Sequence, residues 1–202
     1  MKKNTWLMFI ILAGTMLLSA CSKNYEGDFS YEIEDFEFEN QDGETVSNED
    51  LKGTFWVADF IFTNCTTACP PMTANMAKAQ EKIKEAGLED KVRFVSFTID
   101  PEYDTKQVLK DYIQKQGGDF SNWDALTGYT PERIKEFSQT SFKSLVDKIP
   151  RQNAKEDESS YDFLHSSSLF IVTPEGNAIK RFEGTQFENV DALVNQLKEY
   201  VQ

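Results

Sequence analysis

Residues 55–72 read FWVADFIFTNCTTACPPM, and the fold turns on them. Phe55 to Phe62 is almost entirely apolar, as a strand covered on both faces must be. After Asn64 the period changes: Met72, Met76, Ala79 and Ile83 recur at helical spacing until Gly87 stops them. A buried strand that hands over directly to a helix is the opening of a βα unit in a parallel sheet. Cys65 and Cys69 sit at the handover, and sheets of this kind place their sites at the C-terminal ends of their strands.

Downstream the alternation continues. Val92 to Ile99 is β-rich and ends at Asp100-Pro101; Thr105 to Lys115 is helical and closes on Gly117-Gly118. Trp123 to Leu126 is a short strand. Thr130 as N-cap with Pro131 in the first turn starts a helix carrying Ile134 and Phe137. Residues 147–160 (DKIPRQNAKEDESS) predict an exposed loop. Ser168 to Thr173 and Ala178 to Glu183 flank the turn Pro174-Glu175-Gly176-Asn177, and Val190 to Val201 is a closing amphipathic helix. Upstream, Glu34 to Glu39 alternates with Phe36 and Phe38 on one face, and Gln41-Asp42-Gly43 predicts a hairpin turn back through Glu44 to Val46. The expectation is one α/β domain over residues 31–202. It has a central mixed sheet flanked by helices, an N-terminal β-hairpin extension, and the thioredoxin-like order of elements.

The composition agrees: 202 residues, 40% hydrophobic, are enough for one domain with a real core. The net charge of −13 argues against nucleic acid as a partner, since phosphate binding needs clustered Lys and Arg. The acidic surface serves solubility outside the cell, or steering toward a basic patch on a partner.

The first 20 residues read as an address. Lys2 and Lys3 precede an apolar run from Trp6 to Leu18, the length of a signal-peptide core and short for a membrane span. Leu18-Ser19-Ala20-Cys21 follows where cleavage belongs and is similar to the lipobox of bacterial lipoproteins. On that reading residues 1–20 are a signal peptide, Cys21 is acylated, and residues 21–30 are a tether. The chain is then lipid-anchored on the extracytoplasmic face of a bacterial membrane. Of three cysteines, Cys65 and Cys69 remain free.

Helix neighbours at i, i+4 have Cβ atoms roughly 5–6 Å apart, wider than the roughly 3.5–4.5 Å of a disulfide. A bridge therefore requires Cys65 in a loop or first turn, whereas a metal held by both thiolates tolerates the gap, each bond adding about 2.3 Å. A helix N-terminus favours thiolate over thiol. Thr66-Thr67 between the cysteines and Pro70-Pro71 after them mark a loop-to-helix junction rather than a core face. A structural disulfide and a redox pair both remain open at this point. The single histidine, His165, precedes the strand at Ser168, an entry that faces the cysteine-bearing helix start in this order of elements. Two thiolates and one imidazole are a soft donor set suited to copper, with zinc as the rival.

These residues resemble the Sco family of copper-binding, thioredoxin-fold proteins that serve cytochrome c oxidase assembly. The resemblance is carried by Asp59 to Cys65 with Cys69-Pro70-Pro71-Met72, by Thr98-Ile99-Asp100-Pro101-Glu102 with Asp104-Thr105, and by His165-Ser166 with Pro174-Glu175-Gly176. It implies that Cys65, Cys69 and His165 bind one copper ion per chain, Cu(I) or Cu(II). It implies a metallochaperone for the dinuclear copper site of oxidase subunit II, acting by metal delivery, by reducing that site's cysteines, or both. Asp100 is expected near the donors, tuning them, and a monomer is expected. Thr66-Thr67-Ala68 between the cysteines and Ser166-Ser167 after the histidine depart from the family pattern without touching the donor set. The alternatives are a metal-independent thiol–disulfide reductase, against which the three-residue spacing counts, a peroxidase, for which no Arg is tied to the motif, and a non-catalytic binding module.

Overall fold

A computed structural model describes residues 25–151 and 161–202. In chain order the elements are β1 (Tyr31–Glu32), β2 (Glu37–Glu39), β3 (Thr45–Ser47), α1 (Asn48–Leu51), β4 (Phe55–Ile61), α2 (Cys69–Glu85), β5 (Val92–Thr98) and α3 (Lys106–Lys115). They continue with β6 (Trp123–Leu126), α4 (Pro131–Phe142), β7 (Asp147–Pro150), β8 (Tyr161–Leu164), β9 (Ser168–Val172), β10 (Asn177–Glu183) and α5 (Glu188–Val201). The six-stranded sheet runs β1-β10-β9-β4-β5-β6. β4, β5 and β6 are parallel; β9 is antiparallel to β4, and β10 and β1 continue the antiparallel half. This is the mixed, helix-flanked, thioredoxin-like sheet the sequence predicts.

All seven residues of β4 are buried, and their alternation divides the core. Trp56, Ala58 and Phe60 face an aromatic layer with Phe36, Phe97, Phe137 and Phe142, under β2 and α4. Phe55, Val57 and Ile61 face Met72, Met76 and Ile83 of α2, Leu109 and Ile113 of α3, and Leu193 and Leu197 of α5. Cys65 and Cys69 close the top of the aromatic layer, at the C-terminal end of β4.

The N-terminal hairpin forms at the predicted turn, β2 pairing β3 antiparallel with Phe38 opposite Val46. Gly43 holds φ +82° there, a left-handed conformation that glycine adopts without strain. The strand is shorter than expected, because at Glu34 and Phe36 side chains replace a partner strand: Ser141 Oγ accepts from Glu34 N–H at 3.1 Å and Asn48 Oδ1 from Phe36 N–H at 2.7 Å.

Two further differences bear on function. Residues 147–160 are not simply a loop: Asp147–Pro150 forms β7 and pairs antiparallel with β8, Asp147 opposite Leu164 and Pro150 opposite Tyr161. All four β7 residues are exposed, so no apolar alternation marks the strand in sequence. Residues 152–160 lie outside the described residues. From Tyr25 on, the expected tether lies against the domain. The Tyr25 ring sits 4.7 Å from Phe55 and 5.7 Å from Tyr200, and Ile179 O accepts from Asp28 N–H and Phe29 N–H. The signal-peptide residues and Cys21 are outside the described residues. Among those described, no helix is long and apolar enough to cross a membrane.

Candidate metal centre

The loop between β4 and α2 is pinned from below. The Asp104 carboxylate accepts from Thr63 N–H at 3.3 and 3.2 Å, from the Thr63 hydroxyl and from the Thr98 hydroxyl, tying the end of β4 to the end of β5. Burial pushes the Asp104 carboxyl up to about 6, against the pull of those Thr63 and Thr98 hydrogen bonds. Cys65 N–H then donates to Phe62 O at 3.2 Å, turning the chain toward the helix.

α2 starts at Cys69 with no side-chain cap, and Pro70 and Pro71 occupy positions in its first turn where an N–H would have no helical partner. The Cys65 sulfur takes the capping role: Cys69 N–H donates to Cys65 Sγ at 3.3 Å. The Thr67 hydroxyl lies 3.7 Å from the same sulfur. The Cys69 side chain, His165 and the Cys69 and Thr67 backbone together outweigh burial and hold the Cys65 thiol well below its ordinary pKa. Cys69 is driven the other way, by the Cys65 side chain, by burial and by the charge on Cys65. The pair is therefore polarised, Cys65 the more acidic sulfur and Cys69 the less acidic. Both are free thiols, Cys65 6% exposed and Cys69 fully covered.

His165 enters from the other side, one residue past β8. Its Nδ1–H donates to Ser166 O at 2.9 Å, and Nε2 lies 3.6 Å from Cys69 Sγ. The ring meets Phe62 edge-on at 5.7 Å. Gly184 makes the approach possible: its N–H donates to Ser167 O at 2.7 Å, and a Cβ there would stand 2.6 Å from Met72 Cγ. Asn75 Nδ2 donates to Gly184 O at 2.8 Å, so α2, the end of β10 and the segment after His165 are locked together.

The structure thus gathers Cys65, Cys69 and His165 at one place. Metal–sulfur and metal–nitrogen bonds of about 2.3 and 2.0 Å set the two donors about 3.5–3.8 Å apart, the separation of Cys69 and His165. A hydrogen-bonded outer nitrogen is the usual support of a ligating imidazole. Among the described residues, no three acidic, thiol or imidazole side chains are closed enough to hold an ion as they stand.

Asp100 is engaged by the β7–β8 hairpin. Its side chain accepts from Tyr161 OH at 2.5 Å and lies 3.9 Å from Lys148 Nζ, so it holds the β7–β8 hairpin. Asp59 carries part of the motif in sequence but was given no role of its own there. It is fully buried, with no hydrogen-bond partner for either carboxylate oxygen among the described residues. Burial pushes its carboxyl up to about 7, partly offset by Ser96 opposite it on β5 and by the His165 charge. One acid inside the otherwise apolar run FWVADFIF was the available signal.

The model of the SCO1/SenC family matches residues 26–202. The SCO1 protein homolog of Bacillus subtilis is 40% identical over 191 residues, covering 93% of this chain and 94% of its own length. Among solved structures, a SCO1/SenC family lipoprotein from Bacillus anthracis superposes with a TM-score of 0.75 at 42% identity, over 85% of this chain and 96% of its own. BsSco, described as a member of the Sco family of cytochrome c oxidase assembly proteins with a disulfide switch, gives 0.72 at 39%, over 89% and 98%. Arabidopsis thaliana ScoI, solved with copper bound, gives 0.68 at 28%, over 83% and 98%. A thioredoxin-like sheet carrying Cys65, Cys69 and His165 at one strand end, with this breadth of similarity, makes the chain a member of the SCO1/SenC family.

Proposed function

We propose that this chain is a copper chaperone and thiol-redox assembly factor for cytochrome c oxidase, held on the extracytoplasmic face of the cell membrane by a lipid on Cys21. Its cargo is one copper ion, Cu(I) or Cu(II), on Cys65, Cys69 and His165. Its partner is the dinuclear copper site of oxidase subunit II, and it acts as a monomer. The observation that carries the reading is the 3.6 Å approach of His165 Nε2 to Cys69 Sγ, beside the more acidic Cys65 sulfur. Copper bound in the Arabidopsis relative, the oxidase-assembly description of BsSco and the lipoprotein from Bacillus anthracis support it.

The chemistry follows from the protonation states. Cys65, the more acidic of the two, is the readier thiolate donor. Cys69 becomes a donor on losing its proton, so loading releases that proton and tightens as pH rises. A second reading, disulfide reduction without metal, is favoured by the same asymmetry: Cys65 attacks as thiolate and Cys69 resolves.

Titration of the reduced chain with Cu(I) and Cu(II) tests the choice. One tight equivalent is expected, with an intense sulfur-to-copper absorption for Cu(II). It is lost in Cys65→Ser and Cys69→Ser and weakened at least about tenfold in His165→Ala. Absence of tight binding, with protein disulfides still reduced, establishes the thiol reductase instead.

A further inference from the structure

His165 stands at the end of an arm. β8 leads directly into it, and among the described residues β8 pairs only with the exposed β7, in a two-stranded sheet separate from the main one. Strand side chains alternate, so Tyr161, Phe163 and His165 fall on one side while Asp162 and Leu164 fall on the other. The contacts bear this out. Phe163 packs on Phe62 at 5.0 Å and His165 on the same ring, while Leu164 is 56% exposed. Whatever holds Tyr161 inward therefore also decides that His165 faces Cys69; a slip by one residue turns the imidazole outward.

Tyr161 is held by a fixed post. Asp100, 2% exposed, lies two residues past the end of β5; its N–H donates to Thr98 Oγ1 at 3.0 Å and its carbonyl accepts from Tyr103 N–H and Asp104 N–H. Its carboxylate takes the Tyr161 hydroxyl at 2.5 Å. Lys148 Nζ, from β7, lies 3.7 Å above the Tyr161 ring and 3.9 Å from the other Asp100 oxygen. Beyond β7, Arg151 Nη2 donates to Asn64 O at 3.3 Å, joining the arm to the residue before Cys65.

We propose that the hydrogen bond from Tyr161 to Asp100 is the positioning contact that aims His165 at the cysteine pair. The proposal rests on the reading of His165 as a donor for its consequence, and on the arm's geometry for its substance. It assigns Asp100 a role through Tyr161 rather than toward the ion, and makes Tyr161 a positioning residue.

The chain has one histidine, so its ring signals are unambiguous. The full chain, reduced and copper-free in detergent and labelled with 13C-histidine, is compared by NMR with Tyr161→Phe and Asp100→Asn. In Tyr161→Phe, which keeps the ring and removes only the hydroxyl, the His165 signals are expected to move toward those of a free imidazole. Asp100→Asn keeps an oxygen acceptor and is expected to retain the wild-type signals. Cu(II) affinity is expected to fall about tenfold in Tyr161→Phe and to show no further fall when Tyr161→Phe is added to His165→Ala. Unchanged ring signals in Tyr161→Phe overturn the proposal. So does an equal loss of affinity with and without His165, which marks a general effect on the fold. If the ring signals move but His165→Ala leaves copper affinity intact, the arm stands and the donor reading falls.

Discussion

Cys65 and Cys69 hang from the seam between β4 and α2, where every residue of β4 is buried and both faces of the sheet are covered. His165 hangs from β8, whose partner β7 is exposed along its whole length. The sulfurs are placed by the main core, so moving them means unpacking the domain. The imidazole is placed by single contacts instead, from Tyr161, Lys148 and Arg151 on the arm, from Phe62 beneath it and from Ser166 O and the Gly184–Ser167 bond after it, each worth about 0.5–3 kcal/mol. A site divided this way keeps its sulfur pair ready and leaves the third donor adjustable, as a protein that must both hold and release an ion requires.

The comparison is broken most directly from the core side. Phe97 touches Phe60 at 5.5 Å, Phe36 at 5.7 Å and Phe137 at 5.0 Å in the layer beneath the cysteines. Phe97→Ala is expected to cost about 3–5 kcal/mol in urea unfolding. A loss below about 1 kcal/mol means that this layer is not what fixes the thiols.

Asp59 gives the next effect, and its sign is definite. Burial raises its carboxyl from 3.8 to about 7, so the folded state prefers the neutral form. Its contribution is full below pH about 4 and is lost as pH rises through about 7. The groups acting on it are Ser96 on β5 and His165; in turn its charge bears on Cys69 of α2 and Tyr112 of α3. Asp59→Asn is expected to be more stable than the parent above pH 7, by on the order of 4 kcal/mol, with the difference nearly gone at pH 4. The same dependence surviving in Asp59→Asn assigns it to another group.

What was legible in the sequence follows the same division. β4 and α2 announce themselves because burial on two faces and helical spacing leave a periodic mark, and His165 stands out as the single imidazole. The arm leaves no such mark. β7 has no apolar face, and the bond from Tyr161 to Asp100 spans 61 positions that no local pattern connects. The contact of Asp100 with the hairpin was therefore not legible, although Asp100 itself was singled out. β1, two residues long, is formed by what β10 offers it rather than by its own pattern. The docking of Tyr25 depends likewise on Phe55 and Tyr200, far away in the chain.

The smallest effect is the sharpest probe of the arm. Ile149 is 41% exposed and lies opposite Asp162 in the β7–β8 register. Threonine is an equally good strand former and loses little apolar contact there. Ile149→Thr is therefore expected to change the urea midpoint by no more than about 0.5 kcal/mol equivalent. Amide exchange should separate the regions at the same time: β7 and β8 are expected to exchange well before β4 and β5, because the hairpin opens without disturbing the central sheet. A cost above about 1 kcal/mol at Ile149, or hairpin amides as protected as those of β4, joins the arm to the core as one cooperative unit. His165 is then as rigidly set as the cysteines, and the ease of moving the third donor disappears with the difference between the two regions.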